Sequence, residues 1–345
     1  MISKRLPAPR VNEWVRSMMD DGWRVIGPVF AGEMTLFSVI TSPEQLVLSK
    51  DLARKSPKGA VFPQSEAILK YRQKDGKVEV DDIEGFAPPT VLLGVHPCDA
   101  ASMDILDKVF GGRYQDKFYI KRRENTVIVS LGCEGKLDDD CFCTSVGLTP
   151  DSRKGADIFT MRDESGDLYL EVLTEKGEKL VANDPTLFSP AEPLPARDWS
   201  GESLPFDLAA VKGWLDEHFD DEFWRDLALR CQGCGTCAFL CPVCHCFDIT
   251  DETRLGEGVR RKNWDSCQFG LFTKHASGHN PRNDQSARFR QRVMHKFKYY
   301  ADNFGSTLCV GCGRCVRSCP AGQSLLEVLT EIGELAKAPS AQGAE

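Results

Sequence analysis

Positive charge is in short supply here: 43 Lys and Arg face 51 Asp and Glu over 345 residues, a net charge of −8. That balance argues against nucleic acid as the main partner, since phosphate binding needs a basic surface. Long hydrophobic runs are also missing. Val91-Leu92-Leu93-Gly94-Val95 is typical, and a spanning helix needs about 20 such residues. The opening MISKRLPAPRVNEWVR has neither an apolar core nor a small-residue cleavage site, so no secretory signal is read and a cytoplasmic location is expected. No Gly-x-Gly-x-x-Gly fingerprint or P-loop is found, and no Ser–His–Asp grouping can be defended. Nucleotide binding and hydrolytic catalysis by this chain are therefore not indicated.

What the chain has in abundance is cysteine. Its 15 cysteines are many for a compartment that keeps thiols reduced, and they point to metal, clusters or redox chemistry rather than disulfides. Hydrophobic residues make up 41%, the share of an ordinary globular protein, and the length allows two domains with their own cores.

An amphipathic helix is predicted over 12–20. Strands follow over 23–26 and 33–40, broken at Gly27-Pro28. Residues 64–70 read as a helix, and Lys74-Asp75-Gly76-Lys77 as a hairpin turn. Two continuous apolar runs, 90–95 and 126–130, read as buried strands with a helix over 99–110 between them, a parallel pair in an α/β layer. A hairpin joins 158–161 to 168–173. Pro185, Pro190, Pro193, Pro195 and Pro205 then break up a stretch with little periodicity. Beyond it, helices are predicted over 208–219, capped by Asp207, and over 222–230, capped by Asp220 or Asp221, with others over 287–300 and 324–336. The expected architecture is an α/β (or α+β) domain over 1–183, a Pro-rich linker over 184–205, an all-α domain over 206–337 and a frayed tail over 338–345.

One internal repeat carries the chemistry. Cys231-x2-Cys234-x2-Cys237-x3-Cys241-Pro242 recurs as Cys309-x2-Cys312-x2-Cys315-x3-Cys319-Pro320, the bacterial ferredoxin run for [4Fe–4S] clusters. Three thiolates two residues apart reach one cubane from a tight turn, and Gly233, Gly235, Gly311 and Gly313 let the backbone approach it. Because the fourth cysteine of each run ligates the other cluster in two-cluster ferredoxins, Cys231, Cys234, Cys237 and Cys319 are assigned to one cluster and Cys309, Cys312, Cys315 and Cys241 to the second. A pair of zinc sites is the bland alternative, but zinc normally takes two C-x2-C pairs per metal. Cys241 and Cys309 are 68 positions apart. With helices flanking both runs, this resembles the α-helical ferredoxin domain of fumarate reductase iron–sulfur subunits, and the crossover of the fourth cysteine is carried over from that resemblance.

Cys98 and Cys133 each follow one of the two buried strands, which puts both thiols at the carboxyl edge of a parallel sheet. In Cys141-Phe142-Cys143 an extended backbone turns both sulfurs to one face. These four could close a third [4Fe–4S] cluster, hold zinc, or be ordinary thiols. Cys244, Cys246 and Cys267 are read as packing residues, with a reactive pair or extra ligands as alternatives. His96 and His218 are read as ordinary polar residues. Arg288, Arg290, Arg292, His295, Lys296 and Lys298 make the most basic segment. It is a solvated helix face or a set of cations offsetting cluster charge, in which case Gln at Arg288 or Arg292 lowers a cluster potential.

Gly94-Val95-His96-Pro97-Cys98-Asp99, Arg122-Arg123-Glu124-Asn125-Thr126, Cys141-Phe142-Cys143-Thr144-Ser145, Cys241-Pro242-Val243-Cys244-His245-Cys246-Phe247-Asp248 and Trp264-Asp265-Ser266-Cys267 resemble the β subunit of sulfhydrogenases. They are similar also to the corresponding iron–sulfur component of anaerobic sulfite reductases. The resemblance runs from about residue 20 to residue 325. It implies an electron-transfer subunit beside an FAD-containing, ferredoxin–NADP-reductase-like partner that exchanges electrons with NAD(P)H. Its clusters would relay single electrons between that flavin and a terminal reductase or hydrogenase. It also implies a further cluster on Cys98, Cys133, Cys141 and Cys143. The chain alone is expected to catalyse nothing. An enzyme subunit using Cys244 or Cys246 for sulfur chemistry, and a redox-sensing cluster protein, are the alternative functions.

Overall fold

The computed structural model describes residues 2–49, 51–195, 197–202 and 204–337; the expected tail over 338–345 lies outside them, as do Ala196 and Ser203 of the expected linker. Two compact units divide the chain. The first takes 1–137, 149–198 and Phe247–Trp264, the second Asp138–Leu148, Trp199–Cys246 and 265–345.

The first unit is built on the apolar runs. The strands β1 (Ile2–Leu6), β2 (Arg24–Ala31), β3 (Met34–Val39), β6 (Thr90–Val95), β7 (Thr126–Leu131), β8 (Ile158–Arg162), β9 (Leu168–Val172) and β10 (Ser189–Pro190) form one sheet of order β10-β1-β9-β8-β7-β6-β2-β3. Every residue of β6 and β7 is buried, as their unbroken apolar character demands of parallel central strands. They pair in parallel, Thr90 opposite Thr126, with α2 (Pro97–Phe110) and α3 (Lys117–Glu124) in the connection. Asp116 caps α3 by accepting from the Phe118 and Tyr119 amides. The apolar stripes of α1 (Val11–Asp20: Trp14, Val15, Met18) and α4 (Glu175–Ala182: Leu180, Val181) join the sheet in one core.

Two expectations change here. Gly27 and Pro28 lie inside β2 and do not break it; Pro28 stands opposite Phe37 in the antiparallel pairing with β3. Residues 64–70 are not helical but open β4 (Ser65–Lys74), which is flanked by β5 (Lys77–Asp82) and β12 (Glu257–Trp264) in a second sheet of order β11-β12-β4-β5, with β11 spanning Phe247–Arg254. The turn explains it. Asp75 and Gly76 both take positive φ (51° and 74°), a two-residue hairpin turn that matches strand twist. Pairing on both edges then overrides local helix preference. The β11–β12 hairpin, with a second such turn at Leu255-Gly256, has no counterpart among the elements expected from the sequence. Within the first unit Lys262 of β12 is buried against Glu66 (3.1 Å) and Asp116 (2.6 Å), and Arg122 closes on Glu66 as well.

Among the described residues, the α-helices of the second unit, α5 (Leu208–Glu217), α6 (Phe223–Ala228), α7 (Thr236–Phe239), α8 (Gln285–Met294), α9 (Tyr300–Phe304), α10 (Arg314–Arg317) and α11 (Leu325–Leu335), lie beyond residue 199, a short 3-10 helix spans Thr144–Val146, and no strand is present. Asp207 caps α5 through the Ala210 amide, and Ser324 caps α11 through that of Glu327. Trp214, Trp224, Phe289, Phe297 and Leu329 centre its core. The helix expected over 287–300 is interrupted by a π-turn at His295–Tyr299. No helix among the described residues is long and apolar enough to cross a membrane.

Candidate metal centre

The two cysteine runs take the same local shape. Gly233 and Gly311 have φ of 66° and 61°, and Gly235 and Gly313 of 76° and 70°. In each run the second glycine starts a one-turn helix, α7 and α10 respectively. These left-handed positions exclude most side chains. At Gly311 and Gly313 space excludes them too: a Cβ would come within 2.5 Å of Phe142 and Cys143 backbone and 2.6 Å of the Asp140 carbonyl.

Cys231, Cys234, Cys237 and Cys319 line one cavity, together with Cys315, Gln268, Phe289 and Arg292. The sulfurs have donors close by. Gln285 Nε2 donates to Cys231 Sγ at 3.1 Å, the Gly311 amide to Cys309 Sγ at 3.4 Å, and the Gln323 amide to Cys319 Sγ at 3.3 Å. Lys296 Nζ reaches Cys241 Sγ at 3.3 Å. Cys309 senses the charges of Lys296, Cys241 and Cys315. Burial pushes Cys237 up to about 12 and Cys309 to about 11, so a thiolate at either place needs a positive partner.

Two cations occupy this interior. Arg292 and Lys296 are four residues apart and almost wholly enclosed, at 4% and 2% exposure. Nε and Nη2 of Arg292 are buried with no hydrogen-bond partner. Burial by itself would favour loss of the Arg292 proton, but Cys237, Cys315, Cys244 and Cys267 outweigh it and hold the group above its ordinary value. At Lys296 burial is likewise overcome, by Cys241, Cys244 and Cys309. Enclosed, unsatisfied positive charge among cysteines fits a group carrying net negative charge, as a thiolate-bound cluster does. Among the described residues no three His, Cys, Asp or Glu side chains converge enough to chelate one ion. A ring of sulfurs around a cavity suits a multi-atom cluster better than a zinc ion with Zn–S bonds of about 2.3 Å.

Of the basic segment, Arg292 and Lys296 face cysteines. Arg288 does not: it donates to Gln285 Oε1 and to the Arg282 and Asn283 carbonyls. Arg290 pairs with Asp220 and Lys298 with Asp216. Sequence reasoning missed Gln268 and Gln285, because glutamine carries no spacing signal.

In the first unit Gly94, at φ 71°, sits where the β6–β7 register shifts, and this bulge leads the chain into His96, Pro97 and Cys98 at the head of α2. His96 Nδ1 lies 3.5 Å from Cys133 Sγ, a contact that no spacing in the sequence signals. His218 is structural: it stacks on Trp214 at 4.3 Å and bonds its carbonyl. Cys98 and Cys133 belong to the first unit, Cys141 and Cys143 to the second. There the Phe142 amide donates to the Gly311 carbonyl at 2.8 Å, and Arg317 binds Asp138 at 2.8 Å and approaches Cys141 Sγ at 3.8 Å. Cys244 neighbours Cys241, and Cys246 neighbours Cys267.

Residues 230–323 match the family described as a 4Fe-4S dicluster domain, which supports two [4Fe–4S] clusters. The chain is 33% identical over 324 residues to sulfhydrogenase 2 subunit beta of Pyrococcus furiosus, an alignment covering 90% of this chain and 92% of the relative. No solved structure matches it. On that identity and coverage, the chain belongs to the sulfhydrogenase β-subunit family.

Proposed function

We propose that this chain is the iron–sulfur electron-transfer subunit of a cytoplasmic multi-subunit oxidoreductase, relaying single electrons between an FAD-containing, NAD(P)H-linked partner and a terminal reductase or hydrogenase. The observation that carries the proposal is the enclosure of Arg292, with two unpartnered nitrogens, and Lys296 among the cysteines of both runs. Cys231, Cys234, Cys237 and Cys319 hold one cluster; Cys309, Cys312, Cys315 and Cys241 hold the other. Bound there, a [4Fe–4S] cluster accepts and releases one electron without bond chemistry.

The remaining work is done by the protein's own groups. Arg292 and Lys296 offset negative charge, which favours the reduced state. The Gln285 amide and the Gly311 and Gln323 backbone amides donate to sulfur and act in the same direction. Phe289, only 1% exposed, helps exclude water from the cavity. Cys98, Cys133, Cys141 and Cys143 are proposed to hold a third cluster, as the resemblance to the sulfhydrogenase β subunits implies.

Iron, zinc and acid-labile sulfide content, with EPR after reduction of anaerobically purified protein, tests the proposal. Three clusters give about twelve irons and twelve sulfides per chain; about eight of each confines clusters to the two runs. Zinc without sulfide overturns the electron-transfer reading.

A further inference from the structure

Three cysteines, Cys244, Cys246 and Cys267, lie outside the four-cysteine sets. Two of them meet. Cys246 immediately precedes β11, and Cys267 follows β12 by three residues. Across the foot of this excursion the Asp265 amide donates to the Cys246 carbonyl at 3.0 Å. The Cys246 thiol hydrogen-bonds the Cys267 sulfur, and the Cys267 backbone N–H donates back to the Cys246 sulfur. Gln268 Nε2 lies 3.5 Å from Cys267 Sγ. The pairing of β11 with β12 thus sets the two cysteines beside each other before any bond forms between them.

We infer that Cys246 and Cys267 form a dithiol that closes reversibly to a disulfide, a two-electron site beside the one-electron carriers. The site rests on the reading of this chain as an electron relay.

The protonation pattern suits the step. The hydrogen bond from Cys246 is the main cause that brings Cys267 down to about 6, with Gln268, Arg292 and Lys296 adding to it against burial. The same bond, then burial, raises Cys246. One thiolate and one thiol therefore face each other, and thiolate is the nucleophilic form. On closure the S–S bond forms, the Cys246 proton leaves, and two electrons depart singly to two oxidised iron–sulfur centres of the relay. Reopening takes up two electrons and one proton. Cys267 is only 9% exposed, which disfavours direct exchange with bulky soluble thiols and leaves the relay as the electron route.

The test poises anaerobic, cluster-loaded full-length protein at a series of potentials with mediators, quenches it in acid, alkylates it and maps the peptides by mass spectrometry. The expected result is a Cys246–Cys267 crosslinked peptide that appears on oxidation and disappears on re-reduction, with iron and sulfide content unchanged. The Cys246→Ser and Cys267→Ser variants should keep their iron and sulfide and lose the two-electron step. If both thiols stay alkylatable at every potential, the proposal is overturned. It is overturned as well if either variant loses iron and sulfide, because the thiols are then cluster ligands. Failure of the relay reading is separately visible, as wild-type protein without sulfide or cluster EPR.

Discussion

Lys296 Nζ stands 3.3 Å from the sulfur of Cys241 and 3.1 Å from the carbonyl oxygen of Leu308, with the side chain almost wholly enclosed. An ammonium is rarely buried without charge to answer it. Here the answering groups are cysteines, and the π-turn over His295–Tyr299 carries the lysine among them. Removing the cation makes an added electron less welcome. Lys296→Met is expected to retain iron and lower the midpoint potential of one cluster, with Lys296→Arg restoring much of it. The EPR-monitored shift should exceed about 59 mV, the equivalent of tenfold in a one-electron equilibrium.

Arg292 and Arg288 are separated by one helical turn and by function. Arg292→Gln should lower a cluster potential, since its guanidinium lies among Cys237, Cys315, Cys244 and Cys267. Arg288→Gln should change it far less, because Arg288 is occupied with Gln285 and two carbonyls. Equal shifts in voltammetry would contradict this separation.

His295 gives a pH dependence. Burial, then the charges of His245, Lys296 and Arg282, depresses it from 6.5 to about 3. Between those values the unfolded chain binds the proton and the folded chain does not, so the contribution is complete above the unfolded value and is lost as pH falls through the window. The loss is about 1.4 kcal/mol per pH unit. Going from pH 7.5 to pH 5, wild type should lose about 2 kcal/mol more than His295→Phe, read from the difference in Tm.

Lys262 joins Glu66 of β4 to Asp116, the cap of α3. Lys262→Met leaves carboxylates buried with one cation fewer and should cost about 3 kcal/mol. Denaturant unfolding at neutral pH would measure it.

Leu255 holds φ at 52° while 94% exposed. A leucine gains nothing there to offset the strain, and asparagine tolerates that conformation better. Leu255→Asn should stabilise by about 0.5–1 kcal/mol, visible as a higher Tm.

Chemistry with a short reach was legible in the sequence. The cysteine spacings, the glycines that give each run its turn, the buried strands 90–95 and 126–130, and the cap Asp207 each depend on residues within about one turn of one another. Such relations survive being read one segment at a time. Residues 64–70 did not, because their strand state comes from a turn at Asp75-Gly76 and from β12, nearly two hundred positions later. The same holds for the assignment of Phe247–Trp264 to the first unit and Asp138–Leu148 to the second. Both interrupt the division expected at 184–205. Only the tertiary structure could bring Cys267 to Cys246, or enclose Arg292 and Lys296 rather than Arg288. Burial and strand pairing are decided by distant partners, and a helix of arginines and lysines carries no local mark of which one will face inward.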